Sequence, residues 1–397
     1  MNSQDRQNLA GIYIHVPFCR RRCPYCDFAV SIQVDIPHQA YTAAVIEELQ
    51  KRHQELAGHS VATVYFGGGT PSLLAPQRLS ELLGEVEARF GLQARAEVTM
   101  EANPNEVNED NLQAWRALGI NRLSIGCQSF QPRHLQALRR NHDRKQALRA
   151  VRRALEVMER VSIDVMFAGP SQSMQEWEAD LEVVQALVRD DGLDHVSAYN
   201  LTIEQGTTFW IRRKQGIITL PDHDTAAKML ERLVHACADV GLNRYEVSNF
   251  SVIGGESEHN SAYWRARPYL GVGVGAHSLG VFDGECVRRR ANPRRYDDYM
   301  KAPGEPAEVE VLSASEHLAE CLFLGARTTF GIDLALLQRR FGASVEKQWF
   351  IDIEAVLQDL VTRGWMDSDG DTRYWPTNRG LNFSDSLAGW LFEAATD

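Results

Sequence analysis

The chain has 397 residues, 42 basic against 53 acidic side chains for a formal net charge of −11, and 44% hydrophobic and 24% charged residues. These values describe a globular protein with ample core and exclude a disordered chain, a disulfide-dense scaffold and a general nucleic-acid binder; the length predicts one large domain and a smaller one. No apolar run reaches the length of a membrane span and the first ten residues, MNSQDRQNLA, hold no signal-peptide core, so a cytoplasmic location, no transmembrane segment and no nucleic-acid partner are expected.

The first predicted element is a strand at Ile12–Val16, which runs into Cys19, Cys23 and Cys26, spaced C-x3-C-x2-C. Seven cysteines, odd and sparse, do not read as a disulfide framework, and free thiols persist in a reducing compartment. Each iron of a 4Fe–4S cluster normally takes one cysteine, so three thiolates in a short loop can hold the cluster and leave one iron open to a small molecule. Zinc is the rival, but structural zinc takes four ligands, usually as paired C-x2-C units, and His15 and His38 lack familiar ligand spacing. The spacing favours a cluster. Two positions beyond Cys26, where a fourth thiolate is conceivable, stands Phe28.

Further strands are predicted at Thr63–Phe66, Glu97–Glu101, Arg122–Gly126, Ser162–Phe167 and His195–Leu201. Apolar residues at helical spacing occupy Tyr41–Leu56, Arg78–Phe90, Lys145–Glu159, Met174–Val188 and Ala226–Val240. This alternation predicts six βα units around a parallel sheet, as an open barrel or a doubly wound sheet, with the rhythm fading after about Gly241. Unusual residues follow the strand ends: the cysteine loop, Gly67-Gly68-Gly69-Thr70-Pro71-Ser72, Glu101-Ala102-Asn103-Pro104, and Gln128-Ser129-Phe130. In parallel α/β folds that edge binds ligands. Each has a plain alternative, a tight turn for the glycines, a capping carboxylate for Glu101, a satisfied polar group for Gln128. A carboxylate in the apolar strand holding Asp164 needs a partner, for which Arg140 is a candidate, although an ordinary surface helix position explains Arg140 equally well. Jointly these loops favour a pocket for a zwitterionic ligand.

After Tyr299 the run Lys-Ala-Pro-Gly-Glu-Pro306 reads as a linker. Helices are predicted at Ser315–Arg327, Leu334–Arg340 and Trp349–Arg363, then a hairpin turning at Asp369-Gly370 and a helix after Thr377. Helices followed by a hairpin suggest a winged-helix-like domain. Basic residues do not dominate it, so docking on the barrel or on a partner is the better reading. The clusters Arg20–Arg22, Arg288–Arg290 and Arg294–Arg295 read as solvated surface or as contacts for carboxylates and phosphates. Cys127, Cys237, Cys286 and Cys321 read as small core residues.

Three stretches together, Tyr13-Ile-His-Val-Pro-Phe-Cys19-x3-Cys23-Pro-Tyr-Cys26, Gly67-Gly-Gly-Thr-Pro-Ser72 and Ser124-Ile-Gly-Cys-Gln-Ser-Phe130, resemble the radical S-adenosylmethionine (SAM) proteins. The resemblance runs over nearly the whole chain and is to the branch that holds oxygen-independent coproporphyrinogen III oxidase and the HemW-type haem chaperones. It implies an α/β fold, a partial six-unit βα barrel over 1–245, a haem-motif and connecting region over 246–300, and a smaller winged-helix-like domain over 307–397. It also implies a 4Fe–4S cluster on Cys19, Cys23 and Cys26 with SAM on the open iron. Tyr13, Tyr25, Gly68, Gly69 and Thr70 are implied to line the SAM pocket, and Glu101, Gln128, Arg140 and Asp164 to complete it. The usual Gly-Leu-Pro after the fifth strand is Ala168-Gly169-Pro170 here, which puts the backbone there in question.

Three features favour the chaperone side of the branch: Phe28 where the oxidase has a further cysteine, a start only a few residues before the first strand, and Glu258-His259-Asn260-Ser261-Ala262-Tyr263-Trp264. The last resembles the H-N-x-x-Y-W motif and implies haem contact by His259, Tyr263 and Trp264, with haem passed to membrane-associated haem proteins. The alternative is a radical SAM enzyme acting on a porphyrinogen, in which SAM is cleaved rather than only bound.

Overall fold

The structure, a computed structural model, describes residues 8–282 and 286–394, with the side chains of 281, 282, 286 and 394 outside that description. Six strands lie side by side in sequence order and parallel: β1 (Leu9–Val16), β2 (Ser60–Gly68), β3 (Leu92–Ala102), β4 (Arg122–Gln128), β5 (Arg160–Phe167) and β6 (His195–Asn200). Helices His38–Arg52, Pro76–Phe90, Glu109–Ala117, Arg144–Val157 and Met174–Asp191 connect them. This is the expected partial barrel of six βα units. The helix Glu109–Ala117 was not expected; with only Leu112 and Trp115 buried it has too few apolar positions to show a period.

The strands alternate between two kinds of burial. Ile12, Ile14, Val64, Phe66, Val98, Met100, Leu123, Ile125, Ile163 and Val196 pack in one continuous core. The alternate positions Tyr13, Thr63, Tyr65, Thr99, Glu101, Ser124, Ser162, Asp164 and Ser197 give the other face, which is polar yet enclosed. A period of two requires such a division. The polar face is therefore bonded across strands, as in Ser162 Oγ to His195 Nδ1 at 2.7 Å and His195 Nε2 to Tyr245 Oη at 2.8 Å.

Beyond Gly241 the sheet continues on both flanks. β7 (Tyr269–Val272) lies parallel to β1 on its free side, followed by antiparallel β8 (His277–Phe282), β9 (Cys286–Ala291) and β10 (Glu308–Leu312). On the other flank Asn249–Ser251 and Asn243–Arg244 extend the sheet past β6. A seventh parallel strand was not expected, because a run of four residues followed by a hairpin carries no βα rhythm. Buried Glu48 fixes this extension to the first helix. Its carboxylate accepts from Arg52 Nη1 (2.6 Å), Gly273 N (2.8 Å), Asn292 Nδ2 (2.7 Å) and Tyr299 Oη (2.8 Å). The stretch expected as a linker sits between helix Tyr296–Lys301 and β10, so the large sheet extends to Leu312.

A second core, from Leu318 to Leu391, holds the C-terminal part. Helices Ala314–Gly325, Leu334–Phe341 and Lys347–Thr362 precede the antiparallel pair Met366–Ser368 and Arg373–Pro376, which Ile332–Asp333 extends to three strands. The winged-helix-like order is as expected. Cys127 and Cys237 are buried in the main core, Cys321 is partly buried beside the second, and the side chain of Cys286 lies outside the described residues.

Candidate functional site

A cavity of about 370 Å³ opens at the C-terminal ends of the parallel strands. Cys19, Cys23 and Cys26 all border it, together with Tyr25, Gly68, Gly69, Thr70, Glu101, Gln128, Arg140 and Asp164. Loops spread over nearly 150 residues of sequence thus meet at one place, for the reason that strand ends in a parallel sheet share an edge. Tyr13 is not on the wall. It lies on the inner face beneath the cavity, where its hydroxyl is 3.1 Å from His15 Nδ1, while His15 Nε2 donates to Ala29 O at 2.9 Å. Burial lowers the His15 pKa to about 4, so the ring is neutral.

The cysteine loop is tied to distant elements. Phe209 N donates to Pro24 O at 2.8 Å, Arg294 Nη2 donates to Asp27 O at 2.6 Å, and Tyr25 packs on Phe209. Cys19 Sγ is 3.5 Å from Thr70 Oγ1, and Arg140 Nη1 donates to Cys23 Sγ at 3.6 Å. Burial, then the charges of the neighbouring thiols, push the Cys19 thiol up to about 11; burial likewise raises Cys26. Cys19 and Cys26, which resist ionising in this enclosed loop, fit a polycationic iron–sulfur core that would supply the missing positive charge, and the Arg140 guanidinium beside Cys23 adds to it. Among the described residues no three His, Cys, Asp or Glu side chains close on a single-ion site.

The glycine loop is required by close approach. Gly68 has φ +110°, and a Cβ there would overlap the His15 ring; one on Gly69 would sit 2.7 Å from the Pro17 carbonyl. The Gly68 N–H donates to Glu101 Oε2 at 3.1 Å, and Tyr65 Oη donates to Oε1 at 2.9 Å. Burial and the nearby Asp164 charge raise the Glu101 pKa to about 7. Asp164 is raised too, by burial, against a hydrogen bond donated by Ser124 Oγ at 2.9 Å. Two enclosed carboxylates at one cavity wall suit a cationic group.

The expected partnership of Arg140 with Asp164 is not the one formed. Arg140 instead donates to Gly126 O at 2.9 Å, to Asn103 Oδ1 and to Cys23, which ties strand ends β3 and β4 to the cysteine loop. Asp164 relies on the strand hydroxyls of Ser124 and Ser197. Gln128 follows a break in the β4–β5 register and has φ +65°, a strained conformation at the cavity wall.

The sequence marks the stretch that holds Asn103 but assigns it no role, whereas here it donates to Thr70 Oγ1 at 3.2 Å; Tyr199 and Met166, which also line the cavity, were not among the expected site residues. Asn103 directly follows the end of β3 and was findable by position; Tyr199 and Met166 carry no motif. The concern over Ala168-Gly169 is met by the backbone: Ala168 takes φ +56°, and Gly169 lies where a Cβ would overlap the His134 ring.

His259 stands elsewhere. It is 1% exposed, its Nδ1 is 2.7 Å from Thr63 Oγ1, its Nε2 is 2.7 Å from Tyr263 Oη, and its ring stacks on Tyr65 at 5.0 Å. The resemblance implies haem contact by His259; in the structure both of its ring nitrogens have partners and the ring lies inside the barrel. Burial lowers its pKa to about 3, so the enclosed imidazole is neutral. Tyr263 and Trp264, on the same short helix, border a different cavity.

Residues 13–184 match the Radical SAM superfamily, and residues 312–383 match the HemN C-terminal domain. The chain is 35% identical to "Heme chaperone HemW" of Lactococcus lactis subsp. lactis (strain IL1403), over 86% of this chain and 87% of that one. It is 36% identical to the protein of the same name from Mycobacterium tuberculosis (strain CDC 1551 / Oshkosh), over 96% and 94%. The solved coproporphyrinogen III oxidase (HemN) from Escherichia coli shares the fold, with a TM-score of 0.78 at 21% identity over 97% of this chain and 90% of that one. Membership of the radical SAM superfamily implies a 4Fe–4S cluster and SAM, and the cavity's thiols and paired carboxylates suit both. With a superfamily match over the barrel and relatives above 30% identity along most of its length, the chain belongs to the HemW family of radical SAM proteins.

Proposed function

We propose that this protein binds haem and delivers it to haem-requiring, membrane-associated proteins, using a 4Fe–4S cluster on Cys19, Cys23 and Cys26 with SAM on the open iron. The observation that carries the reading is the 35% identity to a heme chaperone along 87% of that relative's length. When bound, the cluster and SAM supply an electron-transfer centre with a ligand on its open iron. Around them, Arg140 offsets the charge of the thiolates, Glu101 and Asp164 receive the cationic part of SAM, and Tyr25, Gly68, Gly69, Thr70 and Gln128 shape the rest of the pocket. Tyr13 acts from below, holding His15 and so the cysteine loop. A cytoplasmic site of action follows from the same reading. No helix among the described residues is long and apolar enough to cross a membrane.

The test is anaerobic reconstitution followed by titration with haem. Stoichiometric haem binding is expected, with about four iron and four sulfide per chain and little zinc. A reconstituted protein that binds no haem overturns the reading. Decarboxylation of coproporphyrinogen III by the same preparation would favour the oxidase instead.

A further inference from the structure

A second cavity, of about 740 Å³, lies beside the first, between the ends of β5 and β6 and the C-terminal part. It falls within the roughly 300–1,000 Å³ typical of small-molecule sites. Tyr199 and Thr202 border both cavities, so an occupant of the second sits next to the cysteine loop's pocket. The helix Glu258–Trp264 reaches it with Asn260, Tyr263 and Trp264, while His259 on the same helix is turned into the barrel. Phe167 and Leu230 add apolar wall from the barrel, Leu324 and Leu381 from the C-terminal part.

Its polar groups are under-satisfied. Arg244 is 7% exposed and gives its N–H groups to neutral oxygens: Asn382 Oδ1 (2.7 Å), Val247 O (2.7 Å) and Glu246 O (3.3 Å). Among the described residues no carboxylate forms an ion pair with it. Burial depresses its pKa to about 10, and the neighbouring Glu246 carboxyl is itself raised by burial. Asn249 Oδ1 and Arg327 Nε, both on residues of the lining, are buried without a partner. Such atoms cost free energy until a ligand or water meets them. Arg327 is paired with Asp385, whose side chain is 85% exposed and can yield to a competing carboxylate. Among the described lining residues none is a histidine, cysteine or methionine, and burial holds the hydroxyls of its two tyrosines, Tyr199 and Tyr263, in the protonated form that ligates iron poorly.

We infer that this second cavity is the site for a tetrapyrrole dicarboxylate, its ring packed against Tyr263 and Trp264, its carboxylates met by Arg244 and Arg327, and its recognition independent of the central metal. The inference rests on the haem-binding reading above and adds where the ligand sits and which part of it is read. Planar aromatic bodies gain from stacking, and bidentate guanidinium–carboxylate pairs give orientation.

The test is titration of the full chain with haem and, separately, with metal-free protoporphyrin IX, followed by ligand absorbance. Both are expected to saturate with affinities within about threefold of each other. Trp264→Leu and Arg327→Gln are each expected to weaken both ligands by about tenfold, with SAM binding unchanged. Asn200→Trp, which places bulk at an exposed rim position, provides the same reading without disturbing buried contacts. Haem affinity unchanged in all three variants, or haem bound while protoporphyrin is refused, overturns the assignment and leaves haem binding itself standing. A wild-type protein that binds neither ligand overturns the haem reading, and the cavity assignment with it.

Discussion

Glu101 and Asp164 border one cavity from β3 and β5, enclosed with Tyr65, Ser124, Ser197 and the Gly68 N–H as their polar company. The Glu101 carboxyl, raised to about 7, holds a proton in the folded protein that the unfolded chain releases above 4.5. Its contribution to stability is therefore full below pH 4.5 and is lost as pH rises through about 7. A cationic ligand reverses the preference by favouring the ionised form. SAM binding is therefore expected to tighten by up to about tenfold between pH 6 and 8, with proton release, as calorimetry in buffers of different ionisation enthalpy can measure. Glu101→Gln should bind more weakly and lose the pH dependence; an unchanged slope in that variant would assign the proton elsewhere.

Gly169 offers a second test at this scale. A Cβ there overlaps the buried His134 ring, so Gly169→Ala is expected to destabilise by about 2 kcal/mol in urea unfolding. Combined with His134→Ala, which removes the obstructing ring, the loss should fall below the sum of the single changes. Simple additivity would place the strain in the backbone instead.

The short helix Glu258–Trp264 is held from its N-terminus by one carboxylate. Glu97 accepts from Glu258 N (3.0 Å), His259 N (3.0 Å) and Ser257 Oγ (3.3 Å), with Arg122 Nε 3.9 Å away. Gly11 lets the helix approach β1, since a Cβ there would meet Thr63 Oγ1 at 2.8 Å and the His259 ring at 3.2 Å. Removing the anion leaves Arg122 buried without its charge partner, so Glu97→Ala is expected to cost about 3 kcal/mol and Glu97→Gln less. Thermal unfolding of the two variants, with haem titration alongside, separates loss of the helix from loss of a ligand. Equal stability of Glu97→Ala and wild type would remove the carboxylate from this role.

The elements themselves were largely legible because their signals are local. Each βα unit carries its own period, and the turn at Asp369-Gly370 carries its own chemistry, with Gly370 at φ +81° and Asp369 Oδ1 accepting from Asp371 N and Arg373 N. β7 was not legible, since its partner is β1, far away in sequence. The His259 motif showed the same limit. Its residues are adjacent, yet His259 is turned to one compartment and Trp264 to another, and no spacing rule decides that.

For the molecule as a whole, fold and cluster chemistry rest on separate residues. Cys19, Cys23 and Cys26 lie outside both hydrophobic cores. Cys19→Ala, Cys23→Ala and Cys26→Ala combined should abolish iron retention while leaving the far-ultraviolet circular dichroism unchanged and the apo melting temperature within about 4 °C. A variant that fails to fold would make the cysteine loop part of the scaffold. The amino-acid sequence by itself determined the cysteine triad, the glycine loop and the six-unit rhythm, because side-chain chemistry and periodicity are properties of short segments. Only the tertiary structure decided that Arg140 serves Cys23 and Asn103 rather than Asp164, that His259 is enclosed, and that a second cavity shares Tyr199 with the first. Those outcomes depend on which strand ends and helices come to stand opposite one another, and that is set by long-range packing.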